Sequence, residues 1–182
     1  MVQSLTSGAV FDTQRVVSMI GITSGSKATD LGCGSGYVTI ALARAVGPQG
    51  AVTAIDVMEE PLQAVRAKAE AGGFKNVIAV RANLEVYGNT KLADASQDYS
   101  VLANVLFQST QKEHILAEAV RILKPGGTLA IIDWKKGRPG FGPPDALRSD
   151  EETLKALSVA AGAHFERTID VGEYYIGLLF KK

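Results

Sequence analysis

KATDLGCGSGYVT, residues 27–39, decides how the rest of the chain is read. A short apolar strand ends at Asp30 and Leu31. Glycines follow at alternate positions, Gly32, Gly34 and Gly36, and an apolar helical run begins at about Tyr37. The order is strand, glycine turn, helix. Glycine permits positive φ and lets a ligand approach bare backbone. The helix that follows points free N–H groups and its positive dipole end at whatever sits over the turn. The site suits a ligand with a negative group or a polar ribose edge. Ser35 is placed to cap the helix, which runs to about Val46 with Val38, Ala41, Leu42 and Ala45 on one face.

The glycine spacing narrows the ligand. A dinucleotide fingerprint needs G-x-G-x-x-G. Tyr37 stands where its third glycine belongs, and Gly36 comes one residue early. A pyrophosphate pressed against the helix start is therefore disfavoured. Asp30, just before the turn, is well placed to attract an ammonium group. A second strand, AVTAID, closes on another carboxylate, Asp56.

Composition bounds the class. The chain has 182 residues, enough for one domain with a substantial core, and 46% of them are hydrophobic. Nineteen basic residues balance nineteen acidic ones, which argues against a protein held mainly by nucleic-acid phosphates. Cys33 is the only cysteine, so neither an intramolecular disulfide nor a cysteine zinc cluster can form. His114 and His164 are far apart in sequence, which disfavours a metal site. No signal-type leader and no apolar run of membrane length is visible, so a cytoplasmic protein without a membrane partner is expected. Oligomeric state is left open, a homo-oligomer included.

The remaining chain alternates in the same sense. Residues 1–13 read as a loose arm and residues 14–20 as a short helix. Gly47 to Gly50 stops the glycine-turn helix. Glu59, Glu60 and Pro61 start the next helix, with Leu62, Val65 and Ala69 at helical spacing. Residues 77–80 form an unbroken apolar run that suits a parallel strand covered on both faces. Residues 81–91 are irregular, and QDYSVLANVLF, residues 97–107, reads as a fourth strand and its exit. A helix is expected over 110–123, broken by Lys124-Pro125-Gly126-Gly127 before a buried fifth strand. Within it, His114 reads as a surface residue. DWKKGRPGFGPP, residues 133–144, cannot continue a helix or a central strand. It lies past the carboxyl end of a strand, where open parallel sheets place ligands. Residues 133–148 thus read as a substrate-side loop, with Trp134 and Phe141 as aromatic walls or cation–π partners. Ser149 or Asp150 caps a last helix, and residues 163–170 and 174–180 close as an antiparallel hairpin.

DLGCGSG with AVTAID and LKPGG resembles the class I S-adenosylmethionine-dependent methyltransferases, small-molecule type, over about residues 14–180. The resemblance implies a Rossmann-like α/β fold, doubly wound, with a mostly parallel seven-stranded sheet of order 3-2-1-4-5-7-6 and strand 7 antiparallel. It implies one methyltransferase domain over 1–182, with S-adenosyl-L-methionine as cofactor and S-adenosyl-L-homocysteine as product. The motif residues Asp30, Gly32, Gly34, Ser35 and Gly36 would hold the methionine half, and Asp56 the ribose hydroxyls, with Val57 beside it. Where the family usually has an acid near the adenine amino group, this chain has Asn83, followed by Leu84; an asparagine oxygen can still accept that bond. Asn104 would touch the cofactor, and with Phe107 and Gln108 it would sit near the transferred methyl. Asn104 is not followed by two prolines and an aromatic residue, which argues against methylation of nucleic-acid bases. The acceptor is expected to be a small molecule against Phe107, Trp134 and Phe141. Arsenite is disfavoured because such acceptors are usually handled by several cysteines. No general base is evident; Asp133 is the nearest candidate, although a capping or paired role suits it better. Two rivals stay open: an NAD(P)-dependent oxidoreductase on the same fold, and a non-catalytic S-adenosylmethionine-binding module.

Overall fold

The computed structural model describes residues 11–182. Residues 1–10 of the expected arm lie outside that range. The sheet grows outward from β1 (Lys27–Leu31), which pairs in parallel with β2 (Ala51–Asp56) on one side and β4 (Gln97–Ala103) on the other. β3 (Val77–Arg81) extends the first side. β5 (Leu123–Trp134), β7 (Tyr175–Lys181) and β6 (His164–Thr168) extend the second. The order is β3-β2-β1-β4-β5-β7-β6, with β7 antiparallel to both its neighbours, as the motifs imply. Strand order reverses between β1 and β4, so ligands belong outside the carboxyl ends of these two strands.

Helices cover the two faces unequally. α1 (Thr13–Ile20), α2 (Tyr37–Val46) and α3 (Glu59–Ala71) pack on one face. α4 (Lys112–Arg121) and α5 (Glu151–Ala160) pack on the other. Leu31, Ile55 and Leu102 are fully buried at the strand ends, each worth about 1.5–3 kcal/mol of burial. Short-range chemistry sets the helix ends. Asp12 caps α1 by accepting from the N–H groups of Gln14 and Arg15, and Asp150 caps α5 by accepting from Thr153. No described helix is long and apolar enough to cross a membrane.

Four expectations need correction. β3 is not covered on both faces: Ile78 is 60% exposed, because residues 82–96 form no helix to lie over this edge strand. The P-G-G segment does not precede β5 but interrupts it. Leu123 already pairs with Gln97, residues 124–127 bulge out, and pairing resumes at Thr128 with Tyr99. α4 is correspondingly shorter than its apolar stripe suggests, ending at Arg121. β5 also continues through Asp133 and Trp134, so the loop expected from residue 133 starts only after Trp134.

A buried ion pair replaces the missing helix as the anchor of the 82–96 segment. Glu118 of α4 is fully buried and accepts from the hydroxyl of Thr90 at 2.5 Å and the N–H of Gly88 at 2.8 Å. Arg121 donates to both its oxygens, at 2.8 and 2.7 Å, and to the carbonyl of Leu92 and the carboxylate of Asp94. Burial alone would raise the Glu118 pKa, but Arg121, Thr90 and Gly88 outweigh it and bring it down to about 2. The depressed value fixes the sign: this stability is in place above the ordinary 4.5 and is lost as pH falls towards about 2. Glu118→Ala leaves Arg121 buried without its main partner and should cost about 3–5 kcal/mol in urea unfolding at pH 7. The gap between variant and parent should narrow on acidification towards pH 3.

Candidate functional site

The glycine turn is fixed to the end of β2. The N–H groups of Gly32 and Cys33 both donate to the carbonyl of Ile55, at 2.8 and 2.9 Å. All three glycines of the turn have positive φ, which side chains resist. Two of them are also hemmed in. A Cβ on Gly32 would lie 2.5 Å from Val105 Cγ2, and one on Gly36 would lie 2.7 Å from Val65 Cγ2. A Cβ on Gly34 would meet nothing within 4 Å. Gly34 is thus the bare place on the turn, facing open space at the switch point. Ser35 is not the N-cap residue of α2. The left-handed Gly36 occupies the N-cap, one residue later, and Ser35 stays within the turn.

The two carboxylates take different environments. Asp56 closes β2 and accepts from the N–H of Gly34 at 3.1 Å through one oxygen and from the N–H of Met58 at 3.0 Å through the other. Val57 and Met58 follow it with exposed apolar side chains. Asp30 is buried beneath the turn, and one of its oxygens accepts from the hydroxyl of Thr39 on α2 at 2.6 Å. Burial pushes its pKa up to about 7, Thr39 opposes the rise, and the nearby Asp56 charge adds to it. Burial likewise pushes the Cys33 thiol up, away from reactivity.

Beyond β3, the N–H of Asn83 donates to Asn89 at 2.7 Å, while the Asn83 side-chain oxygen accepts from the N–H of Glu85 at 3.0 Å. That oxygen shapes a local turn and keeps one lone pair. Leu84 is buried in the core under α4.

The exits of β4 and β5 make the other half of the site. Asn104 is left-handed, with φ 59°, and its N–H donates to the carbonyl of Ile132 at 2.8 Å. Phe107 is half-buried, and its N–H donates to Asp133 at 2.9 Å. Asp133 is fully buried and also accepts from the N–H of Trp134 at 2.7 Å and weakly from Ser149. Burial raises its pKa to about 6 despite those donors. It ties three loops together and does not face solvent, in keeping with the capping role. Val105 packs on Gly32, so the β4 exit adjoins the glycine turn directly.

Trp134 and Phe141 come together, with ring centroids 5.6 Å apart. Trp134 is buried, stacked at 4.5 Å on Tyr175, with the Arg148 guanidinium over its ring at 5.5 Å. Phe141 is 40% exposed. Arg148 donates to the carbonyls of Lys135, Arg138, Phe141 and Pro143 and so clasps the whole loop. Sequence reading missed Arg148, Thr39 and Tyr175. Thr39 was within the quoted motif and i+3 from the helix cap. Tyr175 carried no signal beyond a strand position. A separate cleft of about 310 Å³ opens by the β6–β7 loop between Lys135, Glu151, Asp170 and Tyr175, away from the glycine turn. His114 is exposed, and among the described residues no three His, Cys, Asp or Glu side chains gather as metal ligands.

A family model described as a methyltransferase domain matches residues 22–173. A SAM-dependent methyltransferase from Aquifex aeolicus superposes with a TM-score of 0.85 at 31% identity, covering 94% of this chain and 89% of that one. An arsenite methyltransferase from Aquipseudomonas alcaligenes is 37% identical over 134 residues, 71% of this chain but 38% of its own length. A demethylmenaquinone methyltransferase from Bacillus cytotoxicus is 33% identical over 122 residues, 67% of this chain and 49% of its own length. The chain thus spans half or less of these two curated relatives.

Asp30 offers a direct check on the site's electrostatics. Its folded pKa is raised, so its contribution to stability is full below the ordinary 3.8 and is lost as pH rises through about 7. Asp30→Asn should therefore unfold at higher urea than the parent at pH 8. The gain should be on the order of 2–4 kcal/mol at pH 8 and shrink steadily towards pH 4.

Proposed function

The chain belongs to the S-adenosylmethionine-dependent methyltransferase family, and on that premise we propose that it carries a methyl group from S-adenosylmethionine to a small organic acceptor. The observation that carries this reading is Gly34: a left-handed, unobstructed glycine whose N–H is held by Asp56, with Asp30 beneath. Bound S-adenosylmethionine supplies an activated sulfonium methyl, and S-adenosylhomocysteine remains after transfer. The protein's work is then to bind, orient and exclude water.

Each group has a part in that work. Gly34 leaves room for the amino-acid portion, and the α2 start, after Ser35 and Gly36, offers its dipole to a carboxylate. The Asp30 charge attracts an ammonium group from below the turn rather than by an open face. Asp56 spends one lone pair of each oxygen on an N–H and keeps the others for ribose hydroxyls. Val57 is an apolar shelf for a base, with Asn83 and Leu84 at its edge. Phe107 lines the acceptor side, and Phe141 is its most exposed aromatic wall. Trp134 supports that wall from beneath.

Two acceptor classes lose support. Cys33 is the only cysteine and is buried, so the thiolate set expected for arsenite is missing from this chain. The balanced charge offers no broad hold on nucleic acid. The same reading takes residues 1–182 as one cytoplasmic domain with 133–148 on the substrate side. A nicotinamide enzyme is disfavoured by Tyr37, which follows Gly36 where a glycine should admit the pyrophosphate.

Calorimetry tests this. The parent should bind S-adenosylhomocysteine and give no heat with NADH. Gly34→Val should lower that affinity by about 100-fold or more, since its side chain fills the open space. It should cost only about 1–2 kcal/mol of stability from backbone strain. Asp56→Ala should weaken binding by at least about tenfold. Equal affinity in parent and both variants overturns the assignment.

A further inference from the structure

Two polar atoms at the acceptor side are buried without a hydrogen-bond partner: Asn104 Oδ1 and Tyr175 Oη. Buried polar atoms are nearly always paired, and an unpaired one costs about 1–3 kcal/mol. These two belong to one place. Asn104 leaves β4, its N–H bound to the carbonyl of Ile132 on β5. Tyr175 opens β7 directly opposite Trp134 on that same β5. The Asn104 side chain lies near enough to act on the Tyr175 hydroxyl, yet no aligned bond closes between them.

Both side chains are held in place. Asn104 is left-handed, and its backbone is gripped at both ends, by Ile132 and by the Gln108 amide, which donates to its carbonyl at 2.8 Å. A strained, over-determined non-glycine residue is a mark of functional sites. Tyr175 is 6% exposed, its ring fixed by Trp134 at 4.5 Å and by Phe11 edge-on at 5.3 Å. Burial keeps its hydroxyl protonated, Asp133 adds to this, and Asn104 and Arg148 oppose it without reversing it.

We propose that Asn104 and Tyr175 form the acceptor-recognition subsite and take the hydroxyl of an aromatic, phenol-type acceptor. This rests on the methyltransferase reading and moves Asn104 from the cofactor to the acceptor. The chemistry of the two groups sets the class. Asn104 Oδ1 can only accept, so the ligand atom must carry a hydrogen. The neutral tyrosine hydroxyl donates, so the same atom must also offer a lone pair. A hydroxyl meets both demands. A carboxylate would set its oxygens against Asn104 Oδ1 and near the buried Asp133 charge. An ammonium group has no lone pair for Tyr175. Phe11, Trp134 and Phe107 give the subsite an aromatic surround.

The test uses 2-naphthol, its methyl ether 2-methoxynaphthalene, and 2-naphthoate as probes. Binding is followed by saturation-transfer NMR with and without S-adenosylhomocysteine. The parent should bind 2-naphthol about tenfold tighter than the ether, which has no donor, and should not take up the carboxylate. Tyr175→Phe, which removes the donor that both probes accept from, should weaken naphthol and ether alike by about tenfold. Asn104→Gly, which keeps the positive φ but removes the acceptor that only naphthol can donate to, should bring naphthol and ether within about twofold, and thermal melting checks that both variants are folded. Equal binding of naphthol and ether by the parent overturns the proposal. So does a full tenfold preference in folded Asn104→Gly, which would mean that the preference arises elsewhere and the two atoms are merely bridged by water. Failure of S-adenosylhomocysteine to bind the parent would strike the methyltransferase reading instead. The naphthol preference, measured without it, is read separately.

Discussion

One junction governs the site: the meeting of β1's glycine turn with the last two residues of β2. The Ile55 carbonyl takes two amides from the turn, and the Asp56 carboxylate takes the next one and that of Met58. Three hydrogen bonds accepted by two adjacent residues lock a bend that glycine alone would leave loose. Glycine in this turn lowers the cost of the shape but adds conformational freedom to the unfolded chain. The β2 end therefore specifies the bend as much as the glycines permit it. The parallel register makes this possible, since Leu31 sits opposite Ile55.

Buried charge is handled in three different ways around that junction. Glu118 and Arg121 face each other and share Thr90, so each desolvated ion has charge and hydrogen bonds in return. Arg148 is buried with carbonyl oxygens as its hydrogen-bond partners and a tryptophan face, and it spends its donors on loop shape. Asp30 and Asp133 have hydroxyl and amide donors, with the Lys112 cation opposing the rise at Asp133, and burial pushes both above the ordinary carboxylate range. The first two arrangements stabilise loops that carry the site. The last two hold potential negative charge under the places where a cationic cofactor is expected, a cost borne where function needs it.

The sequence made legible whatever depends on near neighbours. Strand, turn and helix at residues 27–46, the second carboxylate at Asp56, and the Asp150 cap all follow from spacing within a few residues. The sheet order came through resemblance of motifs, not from periodicity. What escaped was set by the presence or lack of distant partners. An apolar run at Val77–Arg81 reads as doubly covered unless one knows that residues 82–96 form no helix. The bulge in β5 depends on Gln97 pairing with Leu123, and a glycine–proline break looks the same with or without that pairing. Ser35 looks like a cap until Gly36 turns left-handed. Tyr175 gains meaning only because β7 runs antiparallel and brings its first residue back beside Trp134.

That antiparallel return also explains why no catalytic dyad was visible along the chain. Asp133 has both oxygens committed to Phe107, Trp134 and Ser149. It is a tether, and freeing it to take a proton would release the β4 exit, the β5 exit and the start of α5 together. Methyl transfer from a sulfonium does not demand such a sacrifice, because the leaving group is already activated and alignment is the chief requirement. A fold that commits its buried carboxylate to holding Phe107, Trp134 and Ser149 in register favours alignment, which is what this chemistry requires.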